Sequence, residues 1–272
     1  MIKNGISAVV FCCVSLLAAA GFGQEVAWTL SYEHQLPVKL MATDKLQQLY
    51  VVTPANEIIK YRPDGSEQYR FSNNILGELT AIDVTDPFHV LLYYADYQIL
   101  ITLDRTLNRT AELDLLDLNT NQVTAAGMSN DGHIWLYDAA RFRLKKVDKT
   151  GAILLESQNL SLLLPEVPRP AQLIARDNWV YLADPAQGIL VFSNFGQYIK
   201  TIDIQGVTRF QVVDNRLFFR EDNQLVVYDL QSFRFTTLPL PQGTQAEDRV
   251  QMQRSRLFVQ KTDSVLVYSL EK

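Results

Sequence analysis

The sequence predicts an all-β chain folded as a six-bladed β-propeller of four-stranded blades. Three features predict it: a strand pattern with no sustained helical period, a recurrence near forty residues, and a last unit whose missing outer strand the N-terminal segment can supply. Short runs rich in Val, Ile, Leu, Tyr and Phe alternate with turn clusters, and no segment longer than ten residues keeps a helical period. Six apolar strands recur at Leu49–Val52, Val90–Tyr93, Ile134–Tyr137, Val180–Ala183, Leu217–Arg220 and Leu257–Gln260. Their starts are 41, 44, 46, 37 and 40 residues apart. Several strands in a unit of about forty residues are what a propeller blade requires.

Within each unit the order is constant. A second apolar strand begins eight or nine residues after the first, at Ile58, Ile99, Arg143, Ile189, Leu225 and Val265, across a polar turn that makes the two a hairpin. A Gly- or Asn-containing turn then leads to a more polar strand, as in Glu67–Phe71, Ala152–Glu156 and Gln197–Asp203, suited to an outer edge facing water. Upstream of the hairpin lies a strand of small residues, such as Leu79–Asp83, Val123–Met128, Pro170–Ala175 or Val207–Val212, placed to line a central channel. The sixth unit stops after its third strand, and Val26–Tyr32 offers the fourth, so the ring is expected to close through the two chain ends.

The first 23 residues read as an export signal: Lys3, then an uncharged apolar stretch of 15 residues from Ile6 to Ala20, then Gly21 and Gly23 before Gln24, with a second cleavage point before Gly21. The stretch is shorter than the roughly 20 residues of a spanning helix, and no later stretch is long and apolar enough to span. One domain is expected over 24–272, with blades near 38–78, 79–122, 123–169, 170–206, 207–247 and 248–272 plus 26–32. Both cysteines, Cys12 and Cys13, fall in the leader, so the exported chain would carry no disulfide and no thiol chemistry. Without Lys3 it has 24 basic and 30 acidic residues, a net charge of −6 that excludes an electrostatic attraction to nucleic acid.

The units Asp131-Gly132-His133-Ile134-Trp135-Leu136 and Trp179-Val180-Tyr181-Leu182-Ala183-Asp184, with the run Ile189 to Lys200, resemble NHL-type blades. The chain is thus similar over its exported length to six-bladed propellers of the NHL-repeat-like or TolB-like type. That resemblance implies a fold used by both enzymes and passive binding platforms.

Candidate ligand-binding residues come from two patterns. Asp96, Asp138, Asp184, Asp222 and Asp263 recur in the hairpin turns of blades two to six, with Asn56 and Glu57 in blade one. A ring of carboxylates would suit a cation or a basic partner, whereas an Asp in a tight turn also serves to accept backbone N–H groups. Arg209 and Arg249 lie on innermost strands, where they would clamp an anion or, as the favoured expectation, pair with Asp83 or Glu78 across the channel. The stretch Ser157–Arg169 enlarges blade three, and its Leu162, Leu163 and Leu164 are candidates for contact with a partner protein.

Other chemistries are less well served. His34, His89 and His133 have no ligand spacing and are expected in exposed turns. No G-x-S-x-G and no phosphate-binding glycine loop occurs. Propeller lactonases of the regucalcin and gluconolactonase group place acidic and Asn side chains around a channel metal, a role for which Asp44, Asp83 and Asn215 or Asp214 would be the candidates here. Tyr93, Tyr94 and Tyr97 offer aromatic surface to a carbohydrate or to blade packing. The expected function is that of an exported, periplasmic or secreted, monomeric binding or scaffolding platform for a protein or cell-envelope partner. No catalytic residue, resident metal or cofactor is expected; calcium on the acidic turns is the one ion weighed. The alternative is a metal-dependent hydrolase or lactonase acting at the channel mouth.

Overall fold

Six antiparallel four-stranded sheets follow one another around a ring in the computed structural model, which describes residues 27–118, 120 and 122–270. The proposed leader lies outside the described residues. Blade one comprises Leu40–Thr43, Leu49–Val52, Glu57–Tyr61 and Glu67–Ser72, and blade two Ala81–Asp86, His89–Tyr94, Ile99–Asp104 and Arg109–Asp114. Blade three is built from Val123–Met128, Ile134–Asp138, Arg143–Val147 and Ile153–Glu156, and blade four from Gln172–Arg176, Trp179–Asp184, Gly188–Ser193 and Tyr198–Ile202. Gln211–Val213, Arg216–Glu221, Gln224–Asp229 and Phe235–Pro239 form blade five. Blade six takes Arg249–Gln253, Arg256–Gln260 and Ser264–Leu270 from the C-terminal end and Trp28–Gln35 from the N-terminal end.

The middle strands are near-continuous apolar runs because both of their faces are covered. All four residues of Leu49–Val52 are buried, one face turned to each neighbouring blade. The core is accordingly divided into six apolar layers, one between each pair of adjacent blades. Alternate residues of one strand therefore join different layers. Ala42, Tyr50 and Ile58 of blade one pack with Val90, Leu92 and Ile101 of blade two, while Met41, Val51 and Ile59 pack with Phe258, Val265 and Val267 of blade six.

The ring closes as expected through an antiparallel pairing in which Trp28 faces Leu270 and Gln35 faces Ser264. The N-terminal strand runs three residues beyond Tyr32, because Glu33, His34 and Gln35 continue the ladder opposite Leu266, Val265 and Ser264. His34 is therefore a strand residue, half-buried and stacked on Tyr61 of blade one at 4.0 Å with Tyr32 edge-on at 5.3 Å. The expectation of an exposed turn is corrected for it. His89 and His133 do border turns, each beside a carboxylate, Asp86 at 2.7 Å and Asp131 at 3.1 Å.

Three inner strands start later than expected, that of blade four at Gln172 instead of Pro170, while in blades two and five side chains intercept the first N–H groups. Asn56 Oδ1 accepts from Leu79 N at 3.0 Å and the blade-two ladder begins at Ala81; Gln172 Oε1 accepts from Phe210 N at 2.8 Å and that of blade five begins at Gln211. With four antiparallel strands per blade, the turns between second and third strands share one face of the disc with the links between blades. We call this the upper face; the remaining turns form the lower one.

Candidate functional site

The inner strands enclose a channel cavity of about 230 Å³, bordered by small side chains such as Ala42, Ala81, Ala126 and Ala171. Gly127, next to Ala126 on the same strand, is required where blades three and four meet: a Cβ there would lie 2.6 Å from Leu173 Cδ2 and 2.9 Å from Leu173 O on the next blade. Side-chain bonds tie several inner strands to the next blade. Gln211 Oε1 accepts from Met252 N at 2.7 Å, Gln251 Oε1 from Thr43 Oγ1 at 2.9 Å, and Asp83 Oδ2 from Met128 N at 2.8 Å.

At the lower end two carboxylates are committed to the backbone. Asp44 accepts from Leu46 N, Gln48 N and Tyr50 Oη at 2.9, 3.0 and 3.1 Å, and the second oxygen of Asp83 accepts from Thr85 N at 2.8 Å. Burial pushes both carboxyls above the usual range, against the pull of these hydrogen bonds. Asp214 has a left-handed backbone (φ 51°) in the lower turn of blade five, and Asn215 adjoins it with a buried amide nitrogen. Among the described residues no three His, Asp or Glu side chains are grouped to hold a metal ion.

The upper mouth has the opposite character. Arg209 and Arg249 occupy equivalent places, four residues before Val213 and Gln253, which pair across the turn into the second strand with Arg216 and Arg256. Gln172 holds the same place in blade four, four residues before Arg176. Arg209 and Gln172 border the cavity; Arg249 shares its strand face with Gln251 and Gln253, which border it. The expected partners of the arginines are engaged elsewhere, and this expectation is corrected. Glu78 Oε1 meets Lys39 Nζ at 2.8 Å, and both oxygens of Asp83 serve N–H groups. Burial and the neighbouring Arg249 lower the Arg209 guanidinium to about 10, and burial lowers that of Arg249.

The five turn carboxylates do not behave as one set. Asp138 and Asp184 are buried: Asp138 accepts from Ala140 N and Arg141 N at 3.1 and 3.2 Å, and Asp184 from Ala186 N at 2.9 Å and Arg169 N at 2.7 Å. Asp96, Asp222 and Asp263 are exposed. The repeat thus supplies two turn-forming carboxylates and three solvated ones.

Between Glu156 and Gln172 the chain crosses the upper face and includes a short 3₁₀ turn, Leu160–Leu162, capped by Asn159 Oδ1 accepting from Ser161 N at 2.9 Å. Leu160 and Leu164 are buried in the layer between blades three and four, with Leu160 N bonded to Phe142 O at 2.8 Å and Tyr137 Oη to Pro168 O at 2.8 Å. Leu162 is 84% exposed and Leu163 44%. Leu164 is corrected from a partner contact to an anchor. Tyr93 and Tyr94 are likewise core residues, and Tyr97 alone of that trio is exposed.

Sequence reasoning missed Gln172 and the equivalence of the two arginines. The signal was present as Arg209-Phe210-Gln211 and Arg249-Val250-Gln251, an Arg-x-Gln pair one repeat apart.

No family model matches the chain, and no curated protein matches it. Solved structures do match in fold. The Pan2 WD40 domain of Neurospora crassa superposes with a TM-score of 0.63 at 11% identity, covering 90% of this chain and 96% of that one. An inactive virginiamycin B lyase of Staphylococcus aureus with quinupristin gives 0.61 at 13%, covering 88% and 99%, and the Cps50 (Swd1) propeller of Myceliophteria thermophila gives 0.61 at 9%, covering 90% and 100%. At such identities the likeness concerns the fold alone.

Proposed function

We propose that this chain is an exported, non-catalytic propeller that presents its upper face to a protein partner of the cell envelope. The observation that carries the reading is the loop over blades three and four. Leu160 and Leu164 are sunk into the core while Leu162, between them, is 84% exposed. A loop pinned at both ends loses little ordering entropy on binding, so apolar side chains held outward by it suit an anchor at an interface. Val167 and Leu116, also exposed on links between blades, extend the apolar surface on the same face. The rigid ring supports this role because six layers of core fix the geometry of the loops it carries. Export rests on the leader proposed for residues 1–23.

A photo-crosslinking amino acid at position 162 or 163 of the full chain, expressed in its own host, tests the proposal. Discrete adducts are expected from both positions and none from position 149 on the lower face. Absence of adducts from 162 and 163 would remove the support for this face.

A further inference from the structure

We propose that Arg209, Arg249 and Gln172 form a carboxylate-binding site at the upper mouth of the channel. Three donors stand at one level on three consecutive blades, four, five and six, by the pairing of their strands. Their donor capacity is unused: among the described residues neither guanidinium meets a carboxylate, and Gln172 uses only its carbonyl oxygen, toward Phe210 N. That single bond orients the side chain, leaving its NH₂ group to donate. In a chain of net charge −5, acids are plentiful, yet Asp248 beside Arg249 and the expected partners Glu78 and Asp83 are engaged elsewhere. Asp248, the residue before Arg249, accepts from Gln245 N at 2.8 Å and Lys261 Nζ at 2.9 Å; Glu78 is paired with Lys39, and Asp83 with two backbone N–H groups.

Two like charges held side by side and partly desolvated are unfavourable until an anion joins them, and burial and mutual repulsion do lower the Arg209 guanidinium. A carboxylate is the ligand class that fits. The planar guanidinium fork matches its two oxygens, and the adjoining space of about 230 Å³ is below the roughly 300–1,000 Å³ of drug-sized sites. Its nearer walls are uncharged and small, Thr80, Thr124 and Ala171 among them, while the far end carries both signs of charge, Asp44 and Asp83 with Lys45 and Arg176. The carboxylate belongs either to a small free acid whose body enters the cavity or to the chain end of an acidic peptide approaching from above. The site does not depend on the Leu162–Leu163 surface and can stand or fall without it.

Calorimetric titration of the full chain with glutarate, and with an N-acetylated hexapeptide ending in Glu, separates the two sources. One of the probes is expected to bind saturably at one site per chain, and to bind at least about tenfold more weakly to Arg209→Gln and to Arg249→Gln. Arg209→Lys, which keeps the charge and loses the fork, is expected to fall between. Because no acid is left unpaired by the change, ligand-free Arg209→Gln should melt no lower than the parent; a lowered midpoint would mark Arg209 as a structural residue and count against the site. Binding of glutarate assigns a free acid, and binding of the peptide alone assigns a partner's carboxylate. Failure of both probes at millimolar concentration, or binding untouched by both Gln variants, would overturn the proposal.

Discussion

Lys145 Nζ lies 2.8 Å from Asp138 Oδ2, and both side chains are fully buried. Asp138 pairs with Arg143 and Leu136 with Lys145 across the same hairpin, so the two charges are diagonal neighbours on one face of blade three. Leu136 places that face in the layer against blade two. A turn carboxylate that also accepts two backbone N–H groups is here sealed in by a lysine from the adjoining strand. This is why the acidic repeat has a structural meaning in blade three and a solvated one at Asp96.

Removing one partner of such a pair leaves the other charge buried. Lys145→Met is expected to destabilise the chain by about 3–5 kcal/mol, with Glu156 at 3.6 Å from the lysine too distant and too exposed to share the role. In urea titrations the double variant Lys145→Met/Asp138→Asn should recover part of that loss. Equal losses in the single and double variants would show that the Asp138 charge left behind is not what destabilises Lys145→Met.

Ring closure is expected to weaken in acid. Burial between Tyr32 and Tyr61 lowers the pKa of His34 below its ordinary 6.5, so the folded state favours the neutral ring. The unfolded state then binds more protons, and stability falls as pH drops through 6.5 toward the folded value. Asp44 and Asp83, raised by burial, act in the opposite sense at lower pH, since the folded state holds their protons more tightly. The difference between parent and His34→Phe isolates the histidine. Thermal midpoints from about pH 7.5 to about pH 5, a window that spans the ordinary histidine range, should fall more steeply for the parent. Parallel curves would show that His34 does not contribute.

The loop over the upper face divides its leucines into two kinds. Leu160→Ala should cost about 2–5 kcal/mol, as large-to-small changes in a core do, whereas Leu162→Asp should change stability by no more than about 0.5 kcal/mol. Denaturant midpoints of the two variants check this. A large loss from Leu162→Asp would mean that the residue packs on the propeller in solution.

Close approach of inner strands leaves no space at Gly127. Gly127→Val would drive new atoms into Leu173 and is expected to cost about 3 kcal/mol or somewhat less, the scale of overpacking. It should also disturb the packing of blade three on blade four, so near-ultraviolet circular dichroism would change along with the melting midpoint. Retention of both would show that blades three and four can move apart.

The number of blades, the order of strands within each and the closure of the ring by the N-terminal strand are legible in the amino-acid sequence. Those features reside in alternation, turn residues and a period near forty, all of which act over spans of a few tens of residues. Starts of inner strands were less legible, because Asn56 and Gln172 take N–H groups 23 and 38 residues away. Contacts between blades settle which turn aspartates are buried, that Leu164 anchors while Leu162 protrudes, that His34 stacks on Tyr61, and that Arg209 and Arg249 stand without the acids expected to meet them. Each of these depends on burial and pairing between blades, as when Thr43 donates to Gln251 across 208 residues. Local pattern fixes what a strand is, and the neighbouring blade fixes what its side chains are free to do.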